Sequence, residues 1–264
     1  VEKRSDLKPP PKEVSPPEVI EKKDFQPTAG HEQRQIIIDT PLYRAAWSNK
    51  GALLKSWILK KFLDENKKDL ELISPKASDV DKYPFMLSTE DPQFDSVIND
   101  AFYTSSPSSL ELKEGQTGEL RFLYADEKGN KVEKTFTFIG GKYEFDIQIQ
   151  VWKNGEKIEP RLIWGPSFGP PSATTQKKRF MGGKGIAIYT ANKVFRQEET
   201  RYKPEQNAFN FVTWAAYEDN YFAVLFLTSG QKTSAIFLKE DRDQISHFFL
   251  SLNYPQKVYI GPKE

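Results

Sequence analysis

The sequence "YEFDIQIQVW", residues 143–152, alternates apolar and polar side chains until its last residue. The apolar side chains share one face of an extended chain: Tyr143, Phe145, Ile147, Ile149 and Val151. The polar side chains share the other face: Glu144, Asp146, Gln148 and Gln150. A period of two residues is typical of a strand with one buried and one solvated face. This stretch therefore predicts a half-buried antiparallel strand.

Turn residues separate this strand from neighbours with the same alternation. "EKGN" at residues 127–130 predicts one hairpin, and Asn154-Gly155 is a strong signal for another. Later strands are predicted at residues 186–189, 209–217, 221–228, 233–239 and 247–254. About fifteen short strands of this kind predict an all-β, mainly antiparallel fold, a large sandwich.

Helical signals are few, and we expect one or two short helices. "SPKASDVDKY" predicts one short helical turn after Ser74. "KEDRDQISHFF" predicts another just before His247.

The most aromatic stretch is "WAAYEDNYFAVLFL", residues 214–227. Its polar centre, Glu218-Asp219-Asn220, predicts a turn between two strands, with Asn220 in the left-handed conformation. Both faces of residues 221–228 are apolar, which is typical of a strand buried between two layers. We therefore interpret this hairpin as core structure and not as a sugar platform or a membrane hairpin.

Composition excludes several classes of function. The chain has 264 residues, a formal net charge of +1 and no cysteine. A balanced charge offers nucleic acid or an anionic membrane no general attraction, and thiolate metal sites and disulfides cannot form. No stretch approaches the ~20 apolar residues that cross a bilayer. The chain begins with Val and shows no signal peptide, so we expect it to be a piece of a longer protein.

Two regions differ in composition. Residues 1–34 are rich in Pro, Lys and Glu with few apolar residues, which predicts a flexible linker. A PxxP ligand for a partner domain is the alternative for this region. Residues 35–264 carry the strand pattern and predict one folded domain.

Catalytic and metal-binding motifs are weak. The chain has two histidines, and His31 lies in the linker, so only His247 is available to a triad or a zinc site. His247 falls on the more polar face of its strand, which indicates a solvated or hydrogen-bonded side chain. The acidic run at residues 240–243 lacks the glycine and spacing of a calcium loop. "FMGGKG" at residues 180–185 lacks the spacing of a phosphate loop, and the basic run at 176–179 predicts a solvated loop. We expect no catalytic residue, no metal and no cofactor.

Aromatic rings offer one candidate binding site. A sugar platform needs an exposed flat ring with polar neighbours. The candidate cleft residues are Trp164, Phe168, Trp214 and Tyr217. In an aromatic-rich sandwich such rings more often lie in the core, and both interpretations remain open here.

Several segments together resemble one known family. They are "TPLYRAAWSNKGALLKSWILKKF" at 40–62, "GQTGELRFLYADEKGNKVEKTFTF" at 115–138, "IWGPSFG" at 163–169, the stretch at 214–227 and "VYIGPKE" at 258–264. In this order they resemble the periplasmic domain of YidC-type membrane protein insertases. The resemblance implies a large twisted β-supersandwich like that of galactose mutarotase. The two histidines that act in mutarotase-like sites are not both present in the folded region.

The resemblance also implies a role and a location. It implies a non-catalytic domain at the periplasmic face of the bacterial inner membrane, anchored by flanking transmembrane segments outside this chain. Its implied partners are Sec translocon components and nascent inner-membrane proteins, and we expect a monomer. The family's insertase core is not in this chain, so this piece is not expected to insert proteins by itself.

The membrane-proximal docking surface is expected near the end of the chain. Its candidate residues are Asp241, Arg242, Ile245, Tyr259 and Lys263. Two alternatives remain from the sequence: a carbohydrate-binding or epimerase-like domain, and a soluble chaperone for unfolded segments.

Overall fold

A computed structural model describes residues 32–169, 183–228 and 232–263 of the chain. These residues form two α-helices, α1 at Lys76–Val80 and α2 at Pro92–Asp100. The strands are β1 Gln35–Asp39, β2 Tyr43–Ser48, β3 Leu53–Leu63, β4 Asp69–Glu71, β5 Met86–Ser88, β6 Thr104–Ser106, β7 Ser109–Glu111, β8 Thr117–Ala125, β9 Lys131–Ile139, β10 Glu144–Lys153, β11 Glu156–Ile158, β12 Arg161–Trp164, β13 Gly185–Thr190, β14 Lys193–Glu198, β15 Ala208–Asn210, β16 Val212–Glu218, β17 Phe222–Thr228, β18 Ser234–Arg242, β19 Ile245–Asn253 and β20 Pro255–Pro262. The predicted all-β class is confirmed.

The strands form three sheets. The large sheet has the order β14-β13-β16-β17-β20-β10-β9-β8-β6, with β11 paired to β10. The first small sheet has the order β4-β3-β2-β1-β7, and the second has the order β15-β18-β19-β12-β5. Among the described strands, β1 and β7 pair in parallel and the other neighbours pair antiparallel.

The two small sheets form one layer that packs on the inner face of the large sheet. Trp47 of β2 lies against Phe136 of β9, with ring centroids 4.3 Å apart. Trp164 of β12 lies against Phe226 of β17, with ring centroids 5.8 Å apart. All four rings are buried. Burial of these aromatic side chains between the layers supplies the main hydrophobic stabilisation of the sandwich.

Local turn chemistry explains the hairpins. Asn154 and Gly155 both have positive φ angles, 53° and 86°, at the β10–β11 connection. A two-residue hairpin turn favours positive φ at both positions because its twist then matches that of the strands. Gly129 has φ 80° in the β8–β9 connection. Both predicted hairpins are confirmed.

One predicted helix is confirmed, a second predicted helix is wrong, and one observed helix was not predicted. Helix α1 confirms the turn predicted after Ser74. The helix predicted in "KEDRDQISHFF" is wrong, because Asp243 and Gln244 form a tight turn with positive φ between β18 and β19. Helix α2 was not predicted, although Asp91 caps it by accepting hydrogen bonds from two backbone N–H groups and Pro92 occupies its first turn.

The 214–227 hairpin is core structure on one side. Val224 and Phe226 point inward and are buried. The expectation that both faces are buried is wrong, because Leu227 is 39% exposed on the outer face. The small sheets pack on the inner face only. The turn is closed by the Asp219 carboxylate, which accepts from the N–H groups of Tyr221 and Phe222 at 2.8 Å, and not by a left-handed Asn220.

One lysine lies fully buried between the layers. Lys134 follows the inward alternation of β9, between Val132 and Phe136. Its ammonium donates to the carbonyls of Gly51 at 2.7 Å and Phe85 at 2.8 Å. Burial lowers the pKa of Lys134 to about 7, because a charged amine is costly away from water.

Replacing Phe226 by Ala should cost about 3–5 kcal/mol of unfolding free energy, because a buried ring is lost and a cavity remains. The measurement is urea denaturation followed by circular dichroism. Leu227→Ala on the same strand is the matched control and should cost about 1 kcal/mol or less, since that side chain is partly exposed. Equal losses in the two variants would contradict the inward orientation of Phe226.

Replacing Lys134 by Met should cost about 1–3 kcal/mol, because the carbonyls of Gly51 and Phe85 lose their donor. The pH dependence gives a second readout. Between pH 7 and 10.5 the unfolded lysine holds its proton and the folded one releases it, so the unfolding free energy of the original chain should rise with pH. Lys134→Met should lack this rise, and urea midpoints at pH 7 and pH 9.5 check it. A rise that is the same in both proteins would overturn the assignment.

Candidate functional site

The structure places most of the candidate cleft rings in the core. Trp164, Phe168 and Tyr217 are fully buried. Trp214 alone of the four is half-buried, and it stacks on Tyr189 at a centroid distance of 5.9 Å. The first three rings are therefore walls of the core and not a surface that a ligand reaches.

The hydroxyl group of Tyr217 is held in place by a hydrogen bond to a carboxylate. Its hydroxyl donates to Glu199, and the Ser167 hydroxyl donates to the same carboxylate oxygen at 2.5 Å. Burial, and then the nearby Glu199 charge, hold the pKa of Tyr217 well above its usual value. The two hydrogen bonds to one oxygen of Glu199 connect Tyr217, the 163–169 segment and the end of β14, so this cluster holds the chain together.

The Gly-Pro segment at residues 163–169 joins this cluster to β19. The Ser167 N–H donates to the Phe248 carbonyl at 2.7 Å, while its side chain reaches Glu199. Ser167 has φ 60°, an uncommon angle for a residue with a side chain. The two hydrogen bonds hold Ser167 in this conformation.

The candidate docking residues near the end of the chain are mostly engaged within the domain. The Lys263 ammonium lies 3.0 Å from a Glu218 carboxylate oxygen and donates to the Asp219 carbonyl. The Tyr259 hydroxyl donates to the Pro262 carbonyl at 2.6 Å. These bonds fix the end of β20 on the turn between β16 and β17.

The remaining docking candidates lie at the β18–β19 turn. Asp241 accepts a hydrogen bond from Ser246 at 2.8 Å, and Arg242 donates to the Val80 carbonyl at 3.3 Å. Ile245 is exposed beside them. Ser167 connects the first half of β19, through Phe248, with Glu199 at the end of β14. A docking role for these residues stays a prediction.

His247 differs from the sequence expectation. We expected a polar, solvated face, but the side chain is buried and its Nδ1 has no hydrogen-bond partner among the described residues. The segment around α1 covers this face, since Lys76 donates to the Ser246 carbonyl and the Lys82 ammonium lies 5.3 Å from the Phe249 ring. Burial lowers the pKa of His247, and the charge of Lys76 lowers it further.

The acidic run at residues 240–243 is part of β18 and its turn, and Glu240 pairs with Lys82. Within the described ranges, no three His, Cys, Asp or Glu side chains converge on a point where a metal would bind. Residues 180–182, half of "FMGGKG", and the whole basic run at 176–179 lie outside the described residues.

One surface cavity of about 450 Å³ was not indicated by any sequence pattern. It lies between β13, β14 and the β16–β17 turn, whose residues are far apart in the chain. Its charged side chains are largely paired: Arg196 with Glu218 at 3.0 Å, and Arg201 with Glu198 at 3.3 Å. A cavity lined by paired charges can bind a polar ligand but offers no activated group for chemistry.

The fold defines this chain as a large antiparallel β-sandwich domain. The chain belongs to the family of YidC periplasmic domains, whose model matches residues 35–264. This confirms the family that the sequence segments resemble.

Curated relatives carry the same assignment. The membrane protein insertase YidC of Syntrophus aciditrophicus is 28% identical over 260 residues, covering 90% of this chain and 46% of the relative. Those of Chloroherpeton thalassium and Geobacter metallireducens are each 24% identical, covering 88% of this chain and 42% and 45% of the relatives. The chain thus spans less than half the length of these relatives.

One solved structure has low structural similarity to this chain. A GalM/aldose epimerase homologue from C. elegans gives a TM-score of 0.42 with 8% identity, covering 88% of this chain and 99% of that one. A similarity of this size says nothing about activity.

The low pKa of His247 predicts a pH dependence of stability. The unfolded histidine takes up a proton as the pH falls below its ordinary value of 6.5, whereas the folded one stays neutral to lower pH. The contribution of His247 to the unfolding free energy should therefore be constant above that value and fall as the pH drops through the window below it. Urea midpoints at pH 7.5 and 5.5 should show a smaller loss for His247→Asn than for the original chain. An identical loss in both would show that another group is responsible.

Proposed function

We propose that this chain is a non-catalytic, periplasm-facing domain of a membrane protein insertase, and that it supports insertion and folding of inner-membrane proteins. It acts by contacting Sec translocon components or emerging substrate segments. Flanking transmembrane segments hold it at the periplasmic face of the inner membrane.

One observation carries this proposal: the match of the YidC periplasmic domain over residues 35–264, together with relatives named as membrane protein insertases. The chain spans less than half of those relatives, so the insertion reaction itself belongs to the remainder. Neither described helix is long or apolar enough to cross a bilayer.

The geometry supports a binding role over a catalytic one. The three buried cleft aromatics fill the core. His247 is buried beneath the α1 segment, where no substrate reaches it. The carboxylate of Glu199 is occupied by Tyr217 and Ser167. These contacts of His247 and Glu199 within the fold support a binding role.

A tethered domain needs only weak contacts. Anchoring on the same membrane as its partner turns docking into an intramolecular event at high effective concentration. The end of the sandwich that carries Ile245 and Lys263 is the proposed membrane-proximal docking surface. Lys263 fixes the direction in which the chain leaves this end, since its backbone N–H also donates to the Tyr221 carbonyl at 2.6 Å.

The test is to replace residues 35–264 in the complete gene product by a Gly/Ser linker and follow insertion of single-span reporters in cells depleted of their own insertase. We expect insertion to slow several-fold and to continue, because the insertion reaction belongs to the remainder. Protease accessibility of each reporter gives the rate.

Two results would contradict the proposal. Unchanged rates across a panel of reporters would remove the supporting role. Complete loss of insertion, with the shortened protein present at its normal level in the membrane, would mean that this domain carries the reaction itself. A variant with Ile245→Ser alone, which should fold, tests the docking end separately from the rest of the domain, and we expect it to slow insertion as well.

A further inference from the structure

Strand β14 is the longest strand of the fold that pairs on one side only. The other described strands with a single neighbour, β4, β5, β6, β7, β11 and β15, have three residues each, whereas β14 has six. Natural sheets keep such edges short because the free backbone groups of an edge strand pair readily with another chain. We call the free side of β14 the β14 edge, and its length makes it a candidate binding surface.

The strand register shows which backbone groups face the β14 edge. The Glu199 N–H donates to the Lys184 carbonyl at 2.9 Å, in continuation of the β13–β14 register. Bonded and non-bonded pairs alternate along an antiparallel ladder, so residues an odd number of positions before Glu199 direct their N–H and C=O groups away from β13. Val194 and Arg196 are two of them, and no described residue bonds to their backbone groups.

The charged side chain at the centre of β14 does not cover this edge. Arg196 reaches across β13 to Glu218 of β16, with 3.0 Å between its Nε and a carboxylate oxygen. Charged side chains on an edge strand usually protect it from pairing, but this one is directed toward the interior of the sheet. Residues 195–198 line the cavity of about 450 Å³, which leaves space beside this half of β14.

The spacing of the free groups identifies the ligand as an extended chain. A donor and an acceptor recur at every second residue of the β14 edge, about 6.6–6.8 Å apart. A neighbouring strand about 4.8 Å away presents its own groups at the same spacing. A helix uses its backbone groups internally, so it does not match this repeat.

The side chains of β14 favour apolar residues in such a strand. Val194 is 44% exposed on the outer face of the sheet. Phe195 points to the inner face, where its half-buried ring lies 4.8 Å from that of Phe209. Opposite residues on neighbouring strands share a face. A strand paired with β14 therefore places one side chain beside Val194 and the next beside Phe195, and an apolar residue suits both positions.

We propose that the β14 edge binds an extended apolar segment of an unfolded polypeptide, which adds one strand to the large sheet. A folded protein keeps such a segment in its own core, whereas a chain that is still being inserted exposes it. A second copy of this chain fits less well. The antiparallel register that uses Val194, Arg196 and Glu198 of both copies places Arg196 opposite Arg196, and like charges in that position are destabilising.

This inference deepens the proposed function and rests on it, since it names the surface and the class of substrate segment that the domain contacts. Its test is binding by the 264-residue chain and involves no insertion. Lack of binding would leave the insertion experiment intact, and an insertion experiment that fails would leave the binding result intact.

The probe is a fluorescently labelled peptide of about eight residues, slightly longer than an average strand. Valine and threonine alternate in it, and charged residues at its ends keep it in solution. Methylation of every second backbone nitrogen leaves free N–H groups on one side only, so the peptide cannot stack with itself. We expect this half-methylated peptide to bind, as measured by fluorescence anisotropy. The matched control is methylated at every backbone nitrogen and should not bind, because it lacks the donors.

Hydrogen exchange locates the binding site. In the free chain the amides of Val194 and Arg196 should exchange fast, and those of Phe195 and Gln197 should be protected by their bonds to β13. The half-methylated peptide should protect Val194 and Arg196 and leave the other two amides unchanged. NMR measures each amide separately.

Two variants separate the backbone of Val194 from its side chain. Val194→Pro removes one outward N–H, and proline is tolerated at an edge position whose N–H is not bonded within the sheet. It should weaken binding roughly tenfold. Continued protection of the Phe195 and Gln197 amides would show that the strand is kept. Val194→Thr retains the N–H and a branched side chain, and its affinity should stay within about threefold of the original chain.

Three results would overturn the proposal. Equal affinity of the half-methylated and fully methylated peptides, or no binding by either, would exclude strand addition. Protection at another edge of the fold in place of β14 would assign the peptide to that edge. A dimer in sedimentation, with Val194 and Arg196 protected in the absence of peptide, would assign the β14 edge to a second copy of this chain.

Discussion

The sandwich depends on one buried ammonium group that joins its three sheets. Lys134 extends inward from β9 of the large sheet and binds Gly51 in the first small sheet's β2–β3 turn and Phe85 just before β5 of the second. The two hydrogen bonds satisfy turn carbonyls that would otherwise be buried unpaired, and they offset part of the cost of burying the amine. Close packing of side chains already limits movement of the small sheets over the large one. The hydrogen bonds of Lys134 add directional contacts between the sheets.

The parts of the fold that local patterns determine were predictable, and the parts set by distant contacts were not. The alternation in β10 and the Asn154-Gly155 turn are local, and both predictions are confirmed. Lys134 belongs to a strand in which apolar and polar side chains alternate, and sequence patterns predict that a lysine in such a strand is exposed to solvent. Its partners are 83 and 49 residues away in the chain. No pattern within β9 indicates them.

The same difference between local patterns and distant contacts explains why the candidate binding site was only partly predictable. Aromatic residues carry no local mark of whether they lie in a core or on a surface, so Trp164 and Trp214 read alike in the sequence but differ in burial. Tyr217 is satisfied by Glu199, and His247 is covered by the α1 segment; both contacts are created by the fold. Phe211 had no signal of its own, because a positive φ at phenylalanine arises from the way β15 and β16 are connected.

The two ends of strand β16 differ in how their side chains are used. Strand β16 begins at Val212, beside Phe211, and ends at Glu218, which pairs with Arg196 and Lys263. Seven residues of strand separate the ends by roughly 20 Å. At the Glu218 end the charges bind one another and secure the last strand. At the Phe211 end the strand begins beside a side chain that is 72% exposed. The ion pair and hydrogen bond of Lys263 hold the end of β20 against the β16–β17 turn, so the end of the sandwich that we propose for docking presents its side chains from a fixed backbone.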